Sequence, residues 1–155
     1  MISTEQLRKF PFFGFMDYSQ LKAVAMIAEK LTYEKDEIIM EAGKPAEHFY
    51  FLMNGNVAYY TVVTSEHDPY YQKEYFITDI NPGEIFGISA LIEPYIFTAT
   101  LRTNKLSHVI QINAVSLRAL CEVDTKLALG LYRAVAKTAM ERLHTTRLQL
   151  VAAKT

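Results

Sequence analysis

Residues 83–103 read GEIFGISALIEPYIFTATLRT and have the residue types of a phosphate-binding loop. Two glycines, Gly83 and Gly87, allow the backbone to approach a ligand closely, and backbone amides at the start of a short helix can bind an anion. Across residues 85–101, however, the only charged side chain is Glu93. The loop therefore lacks the cation that commonly pairs with a bound phosphate.

Metal-dependent chemistry has little support in the sequence. The four histidines are spread along the chain, and none forms a ligand-spaced pair with another histidine or a cysteine. We therefore predict no metal, no cofactor and no enzymatic activity. The histidines are His48, His67, His108 and His144.

Length and composition indicate one globular domain. The chain has 155 residues, of which 50% are hydrophobic and 21% charged, enough to bury a core and too few charges for disorder. It has no apolar run of membrane-spanning length, and its N-terminus lacks the apolar core of a signal peptide. A single cysteine, Cys121, cannot form an internal disulfide. These features predict a cytoplasmic protein without membrane association.

Hydrophobic periodicity divides the chain into three parts. Residues 1–31 have helical spacing, and the second helix is expected to end near Lys30. Residues 32–112 contain short runs of β-branched and aromatic residues, broken at regular intervals by turn-forming residues. This pattern is typical of an all-β barrel or sandwich. Residues 113–155 are helical again.

The clearest strand signal surrounds Asn54-Gly55. This dipeptide separates two apolar runs, and it readily supplies the two positive φ angles of a type I′ turn. We therefore predict a hairpin at this position.

The C-terminal part predicts a short helix capped by Asn113 and a long helix capped by Asp124 or Thr125. A stripe with coiled-coil spacing follows the long helix, and its small residues would let two helices approach closely. We therefore predict a parallel homodimer. Alternatively, at least the first two turns fold back onto the chain's own barrel, with Gly130 as the joint. The stripe consists of Leu129, Tyr132, Ala136, Ala139, Leu143, Thr146 and Leu150.

Positive charge accumulates at the C-terminal end. From Lys126 onward six basic residues face a single acidic one, Glu141, and they are spaced along the helix rather than clustered. We therefore predict a solvated basic face, a candidate docking surface for a protein partner, that includes Lys137, Arg142 and Arg147.

The segment IIMEAGKPAEHFYFLMNGNVAYY, followed by NPGEIFG and FTATLRT, resembles the cyclic-nucleotide-binding domain of the bacterial catabolite-activator and Fnr regulators. This resemblance implies a mainly β fold with flanking helices: a β-roll, or double-stranded jelly roll, between an N-terminal helical segment and a long dimerisation helix. Relatives that bind DNA continue into a helix-turn-helix, whereas this sequence stops at VAAKT. We therefore expect no direct DNA binding. Haem-sensing relatives also exist, but the spacing of His48 and His108 gives no support for iron binding.

The phosphate-binding cassette departs from the family pattern. In the family it resembles G-E-L-A followed by R-[ST]-A, where the Glu holds the ribose hydroxyl and the Arg pairs with the cyclic phosphate. Here Ile88 and Phe97 stand at those two positions. Losing both anchors should weaken cyclic nucleotide binding by roughly 4–6 kcal/mol. If the segment is a strand, Arg102 faces away from Phe97, Ala99 and Leu101 and cannot substitute.

The resemblance places a degenerate ligand pocket in this cassette, with a largely apolar rim and a possible contribution from Thr146 on the long helix. Phe97 either lines this pocket or fills it. Three functions follow: a sensor for a small apolar or aromatic ligand, a dimerisation or interaction module with a collapsed pocket, or an unconventional cyclic nucleotide binder using backbone amides and hydroxyls. The pocket residues are Phe86, Gly87, Ile88, Ser89, Ala90, Tyr95, Phe97, Thr98 and Ala99.

Overall fold

Short strands rich in β-branched and aromatic residues form two four-stranded antiparallel sheets in the computed structural model, which describes residues 2–155. One sheet has the order β1-β8-β3-β6 and the other β2-β7-β4-β5. The strands are β1 (Ala28–Tyr33), β2 (Ile38–Met40), β3 (His48–Asn54), β4 (Val57–Thr64), β5 (Gln72–Ile80), β6 (Ile85–Phe86), β7 (Thr100–Thr103) and β8 (Ser107–Asn113).

Helices flank the sheets at both ends of the chain. The predicted fold class, a mainly β jelly roll with an N-terminal helical segment and a long C-terminal helix, is confirmed. The helices are α1 (Thr4–Arg8), α2 (Tyr18–Met26), α3 (Ala114–Val123) and α4 (Thr125–Lys154), with 3₁₀ turns at Pro11–Phe15 and Ile88–Leu91. No helix in residues 2–155 is long and apolar enough to cross a membrane.

The expected hairpin at Asn54-Gly55 is wrong, although both flanking runs are strands. β3 pairs with β6 and β8, whereas β4 pairs with β5 and β7, so the chain crosses here from one sheet to the other. Gly55 has a φ of +104°, and an added Cβ would lie 2.6 Å from the Cα of Ser107. Glycine is therefore required by both the positive φ and the close contact with β8.

The boundary between the N-terminal helices and the strands lies earlier than predicted. α2 ends at Met26, and β1 already begins at Ala28, whereas helix was expected to about Lys30. β1 pairs with β8 along its whole length, from Ala28 opposite Ile112 to Tyr33 opposite Ser107. Pairing with a strand distant in sequence overrides the helical spacing of this segment.

Polar caps fix the starts of the C-terminal helices. The Asn113 side chain accepts a hydrogen bond from the amide of Ser116 (2.8 Å), and Asp124 accepts one from the amide of Leu127 (3.0 Å). Both predicted caps are confirmed, with Asp124 rather than Thr125 capping the long helix, which begins at Thr125.

The long helix α4 is continuous through Gly130, so the expected joint at this residue is wrong. Instead, Gly130 leaves space for Phe15, because an added Cβ would lie 2.1 Å from the Phe15 ring. The 3₁₀ turn Pro11–Phe15 therefore packs directly on α4.

One face of α4 lies against the β-roll well beyond its first two turns. Leu127, Leu131 and Val135 are buried, and further along Arg142 and Gln149 donate hydrogen bonds to backbone carbonyls of the roll. The stripe of seven residues from Leu129 to Leu150 lies on another face and is exposed in the single chain. The helix thus packs on its own roll while leaving the stripe uncovered.

Candidate functional site

A cavity of about 600 Å³ lies between the β-roll and α4. The 3₁₀ turn Ile88–Leu91, called the cassette turn below, forms one wall, and α4 forms the opposite wall. Ala136 and Ala139 of α4 line the cavity and are also exposed, so this side opens to solvent. The lining consists of Met40, Tyr59, Gly87, Ile88, Ser89, Ile92, Thr98, Ala99, Leu101, Tyr132, Val135, Ala136, Ala139 and Arg142.

Gly87 sets the geometry of the cassette turn. Its φ of +69° is in the left-handed region, and an added Cβ would lie 2.9 Å from the Tyr50 ring and 3.2 Å from the His48 carbonyl oxygen. The Tyr50 ring is stacked on Phe86, with the ring centroids 4.9 Å apart. The Gly87 carbonyl accepts a hydrogen bond from the Ala90 amide, so this amide is used within the turn. The turn is thus held closely against β3.

The structure brings five of the nine predicted pocket residues to the cavity and leaves four outside it. Phe86, Ala90 and Phe97 are buried, whereas Tyr95 lies under the guanidinium of Arg118, 4.0 Å from the ring centroid. The five that line the cavity are Gly87, Ile88, Ser89, Thr98 and Ala99.

Phe97 does not line this cavity. The sequence argument placed its side chain on the same face as Ala99 and Leu101 by assuming a continuous strand, but β7 begins only at Thr100. The Phe97 backbone instead pairs with residues 43–44, and its ring borders a separate cleft beside Tyr50. The alternative in which Phe97 fills the cavity is therefore wrong.

One cation reaches the cavity from α4 rather than from the cassette. Arg142 lines the cavity, donates from Nη2 to the Ile85 carbonyl (2.9 Å), and lies 5.3 Å from the centroid of the Tyr59 ring. Burial lowers the pKa of its guanidinium. Within residues 2–155, no carboxylate oxygen lies within 4.0 Å of it. The cavity thus contains a partly buried cation without an ion-pair partner.

The position of Arg142 in the cavity lining differs from the predicted one, which was on a solvated face of the helix. A signal was present, because Arg142 lies seven residues after the buried Val135 and therefore on nearly the same side of the helix. Periodicity alone treats arginine as a surface residue, and nothing in the sequence marks which partners α4 meets.

Two side chains connect the cassette turn to the C-terminal helices. Arg118 of α3 donates to the Ala90 carbonyl (2.6 Å), and Tyr132 of α4 donates to the Leu91 carbonyl (3.0 Å). These bonds satisfy carbonyls at the end of the turn, which have no partner within a short helix. The cassette turn is therefore hydrogen-bonded to both α3 and α4.

The remaining candidates lie away from the cavity. Thr146 is exposed, and its hydroxyl donates to the Arg142 carbonyl (2.9 Å). Arg102 forms an ion pair with Glu74 (2.9 Å) and contacts the Tyr60 ring on the outside of the second sheet. The expectation that Arg102 does not replace the cassette arginine agrees with this position.

The two histidines considered as iron ligands lie on different parts of the first sheet. His48 borders a shallow cleft with Gln111 and Asn113, and burial lowers the pKa of its ring. His108 Nδ1 is hydrogen-bonded to the hydroxyl of Thr32 (2.9 Å). Within residues 2–155, no three metal-ligating side chains are grouped.

Residues 30–124 match the model of the cyclic nucleotide-binding domain family. A search of curated protein sequences found no match. A solved structure from Geobacter metallireducens, of a protein with an inferred cyclic nucleotide-binding function, is 32% identical, with a TM-score of 0.77 over 93% of this chain and 100% of that chain.

More distant structures share the fold. The sensor domain of the transcriptional regulator DNR from Pseudomonas aeruginosa is 18% identical, with a TM-score of 0.69 over 88% of this chain and 92% of that chain. The regulatory domain of Toxoplasma gondii PKA, solved with cAMP, is also 18% identical, with a TM-score of 0.70 over 89% of this chain and 48% of that chain.

Proposed function

Because this chain belongs to the cyclic nucleotide-binding domain family, we propose that it is a regulatory ligand-sensing module whose ligand is a small, largely apolar molecule. The observation that carries this proposal is the lining of the cavity. Its volume of about 600 Å³ suits a small ligand, yet Ile88 occupies the position of the family's ribose-binding Glu. Phe97, which stands where the family has its phosphate-binding Arg, points elsewhere.

A ligand in this cavity would contact both the cassette turn and α4. Ser89 and Thr98 offer hydroxyl groups from the roll, and Tyr132 already links α4 to the turn through its bond to Leu91. Binding would therefore change how firmly α4 is held against the roll. Because a ligand shifts an equilibrium only through contacts that differ between two states, contacts on both walls are what a sensor requires.

The domain would transmit ligand binding to a protein partner through a homodimer. The open side of the cavity is formed by Ala136 and Ala139, which belong to the exposed stripe of α4, so a second copy packed on this stripe would cover the ligand. A protein partner would then respond to the geometry of the dimer. We propose no enzymatic activity for the domain.

The proposal is tested with N-phenyl-1-naphthylamine, a neutral apolar probe whose fluorescence rises in apolar surroundings. We expect micromolar binding by the wild-type chain, since the lining is mostly apolar, and about tenfold weaker binding after Thr98→Trp, which fills the cavity from its exposed roll side. Thr61→Trp, on an exposed position of β4 outside the cavity, is the matched control and should bind like wild type.

Cyclic AMP is then added as a competitor. We expect no displacement of the probe below millimolar concentration, because the two charged anchors are absent. Absence of probe binding, equal binding by all three chains, or displacement by micromolar cyclic AMP would each contradict the proposal. The last result would instead support a cyclic nucleotide sensor of unconventional design.

A further inference from the structure

The charges around the cavity restrict its ligand further than its shape does. Among the fourteen lining residues, Arg142 is the only basic one, and none is acidic. Ser89 and Thr98 contribute aliphatic hydroxyl groups to the lining, and most of the remaining surface is aliphatic or aromatic. The cavity is therefore an apolar space with a single positive charge on the α4 side.

The guanidinium of Arg142 has unused hydrogen-bonding capacity. It carries five N–H donors in a planar fork, and within residues 2–155 its acceptor is the Ile85 carbonyl. Glu84 and Glu141 are near enough to favour its charged form, but neither reaches ion-pair distance, and both line a neighbouring cleft that Arg142 also borders rather than this cavity. Taking a cation out of water is unfavourable unless a charged partner compensates it.

From this arrangement, and resting on the proposed function, we propose that the ligand is an apolar carboxylate whose acid group pairs with Arg142 while its body packs against the cassette turn. A carboxylate matches the guanidinium fork with two parallel hydrogen bonds. One cation balances one negative charge, so a phosphate dianion would remain partly uncompensated among apolar side chains such as Ile88 and Leu101. The singly charged phosphodiester of a cyclic nucleotide could pair with Arg142, but its ribose hydroxyl would lack a charged partner, because Ile88 stands at that position. The ligand class is therefore an aromatic or aliphatic monocarboxylic acid.

Pairing with a ligand would also change the contacts of Arg142. The carboxylate would compete with the Ile85 carbonyl for the same guanidinium, so binding would replace a bond from α4 to the backbone by a bond from α4 to the ligand. The acid group would then be fixed to the helix and the apolar body to the roll. The ligand would therefore bridge α4 and the roll, the two parts that a sensor must connect.

Two probes of nearly the same shape test the charge requirement: 2-naphthoate, which is ionised at pH 7, and the neutral 2-naphthamide. Their affinities for the full chain are measured by calorimetry. We expect wild type to bind naphthoate about ten- to hundredfold tighter than naphthamide, the range of a charge-assisted pair. Arg142→Gln should remove this preference while leaving naphthamide binding in place.

Two further variants separate a direct role of the charge from a loss of folding. Arg142→Lys keeps the cation and should retain part of the preference. Arg147→Gln removes an exposed cation on the same helix, outside the cavity, and should bind both probes like wild type.

Equal affinity of wild type for both probes, or an unchanged preference in Arg142→Gln, would overturn the carboxylate assignment. Binding of N-phenyl-1-naphthylamine without binding of naphthoate would overturn this assignment alone. If none of the three probes binds, the proposed function fails together with it. The two failures are thus distinguishable.

Discussion

At the scale of single residues, the cavity keeps one charged side chain, but at a different position from the two charged anchors of the family's cassette. The cassette has Ile88 and Phe97 at the two positions where charge is expected, and the one cation of the cavity, Arg142, lies on α4, 39 residues after the end of the segment 83–103. An arginine held this way depends on the position of α4. Charge in the cavity is therefore linked to helix packing, which is a useful property for a sensor.

The conformation of the cassette depends on Gly87 in particular. We expect Gly87→Ala to destabilise the fold by about 2–4 kcal/mol, because a left-handed φ is strained for alanine and the new Cβ also meets Tyr50 and the His48 carbonyl. Gly43→Ala is the control, since Gly43 has a φ of +88° but no heavy atom within 4 Å of an added Cβ. Urea unfolding of both variants measures the difference.

The comparison of the two glycine variants isolates packing from backbone strain. Gly43→Ala should cost only the strain, about 1–2 kcal/mol. Equal losses of stability in the two variants would show that the contact with β3 contributes nothing, and the description of the cassette turn as held against β3 would have to be abandoned.

At the scale of elements, α4 connects most parts of the site. Its buried face packs on the roll through Leu131 and Val135. A second face lines the cavity through Tyr132 and Ala136, and the exposed stripe continues along this second face. The N-terminal 3₁₀ turn joins this arrangement where Phe15 lies over Gly130. Movement of α4 would therefore change its contacts both at the cavity and at the N-terminal 3₁₀ turn.

The contact between the 3₁₀ turn and α4 can be tested with a double-mutant cycle. Glycine to alanine in a helix interior normally stabilises by about 0.5–1 kcal/mol. We expect Gly130→Ala to lower the free energy of unfolding instead, because the new Cβ would overlap the Phe15 ring. In a Phe15→Ala background the same change should stabilise, as measured by thermal and urea unfolding.

Additive effects of these two substitutions, within about 0.5 kcal/mol, would mean that they do not interact. In that case Gly130 would have no role in receiving Phe15. A coupling above this value assigns the glycine to the contact rather than to a helix joint.

At the scale of the whole molecule, the proposed dimer and the proposed ligand site share residues. Tyr132, Ala136 and Ala139 belong both to the exposed stripe and to the lining of the cavity. Ligand affinity and dimer affinity are then coupled, because each event buries atoms that the other also contacts. Small side chains at two of these positions would let the second helix approach closely.

Sedimentation velocity tests the dimer directly. At micromolar concentration we expect the wild-type protein to sediment as a dimer, with about twice the chain mass of 17.7 kDa. Leu143→Arg should produce a monomer, because it buries a charge in the seam without touching the cavity lining. Leu148→Arg, at an exposed leucine outside the stripe, should leave the dimer intact.

A monomeric wild-type chain would remove the proposed seam. Dissociation by both leucine variants would argue that α4 associates through a different face. Either result would leave the ligand site open to solvent beside Ala136 and Ala139, and signalling would then have to act within one chain.

The sequence by itself determined the fold class, because alternating apolar residues and turn-forming residues at regular spacing permit few architectures other than a small β barrel or sandwich. It also determined the caps of the last two helices, since capping depends only on neighbouring residues: Asn113 and Asp124 accept from amides three residues ahead. Five of the nine residues that the family's motif placed in the pocket line the cavity, including Gly87, Ile88 and Ser89.

Only the tertiary structure decided what depends on residues distant in sequence. The strand starting at Ala28 exists because β8 pairs with it, and Asn54-Gly55 joins two sheets rather than two paired strands because each run finds its partners elsewhere. The position of Phe97 outside the cavity follows from backbone pairing with residues 43–44. The cation of the site, Arg142, is defined by how α4 packs on the roll, which no local pattern specifies.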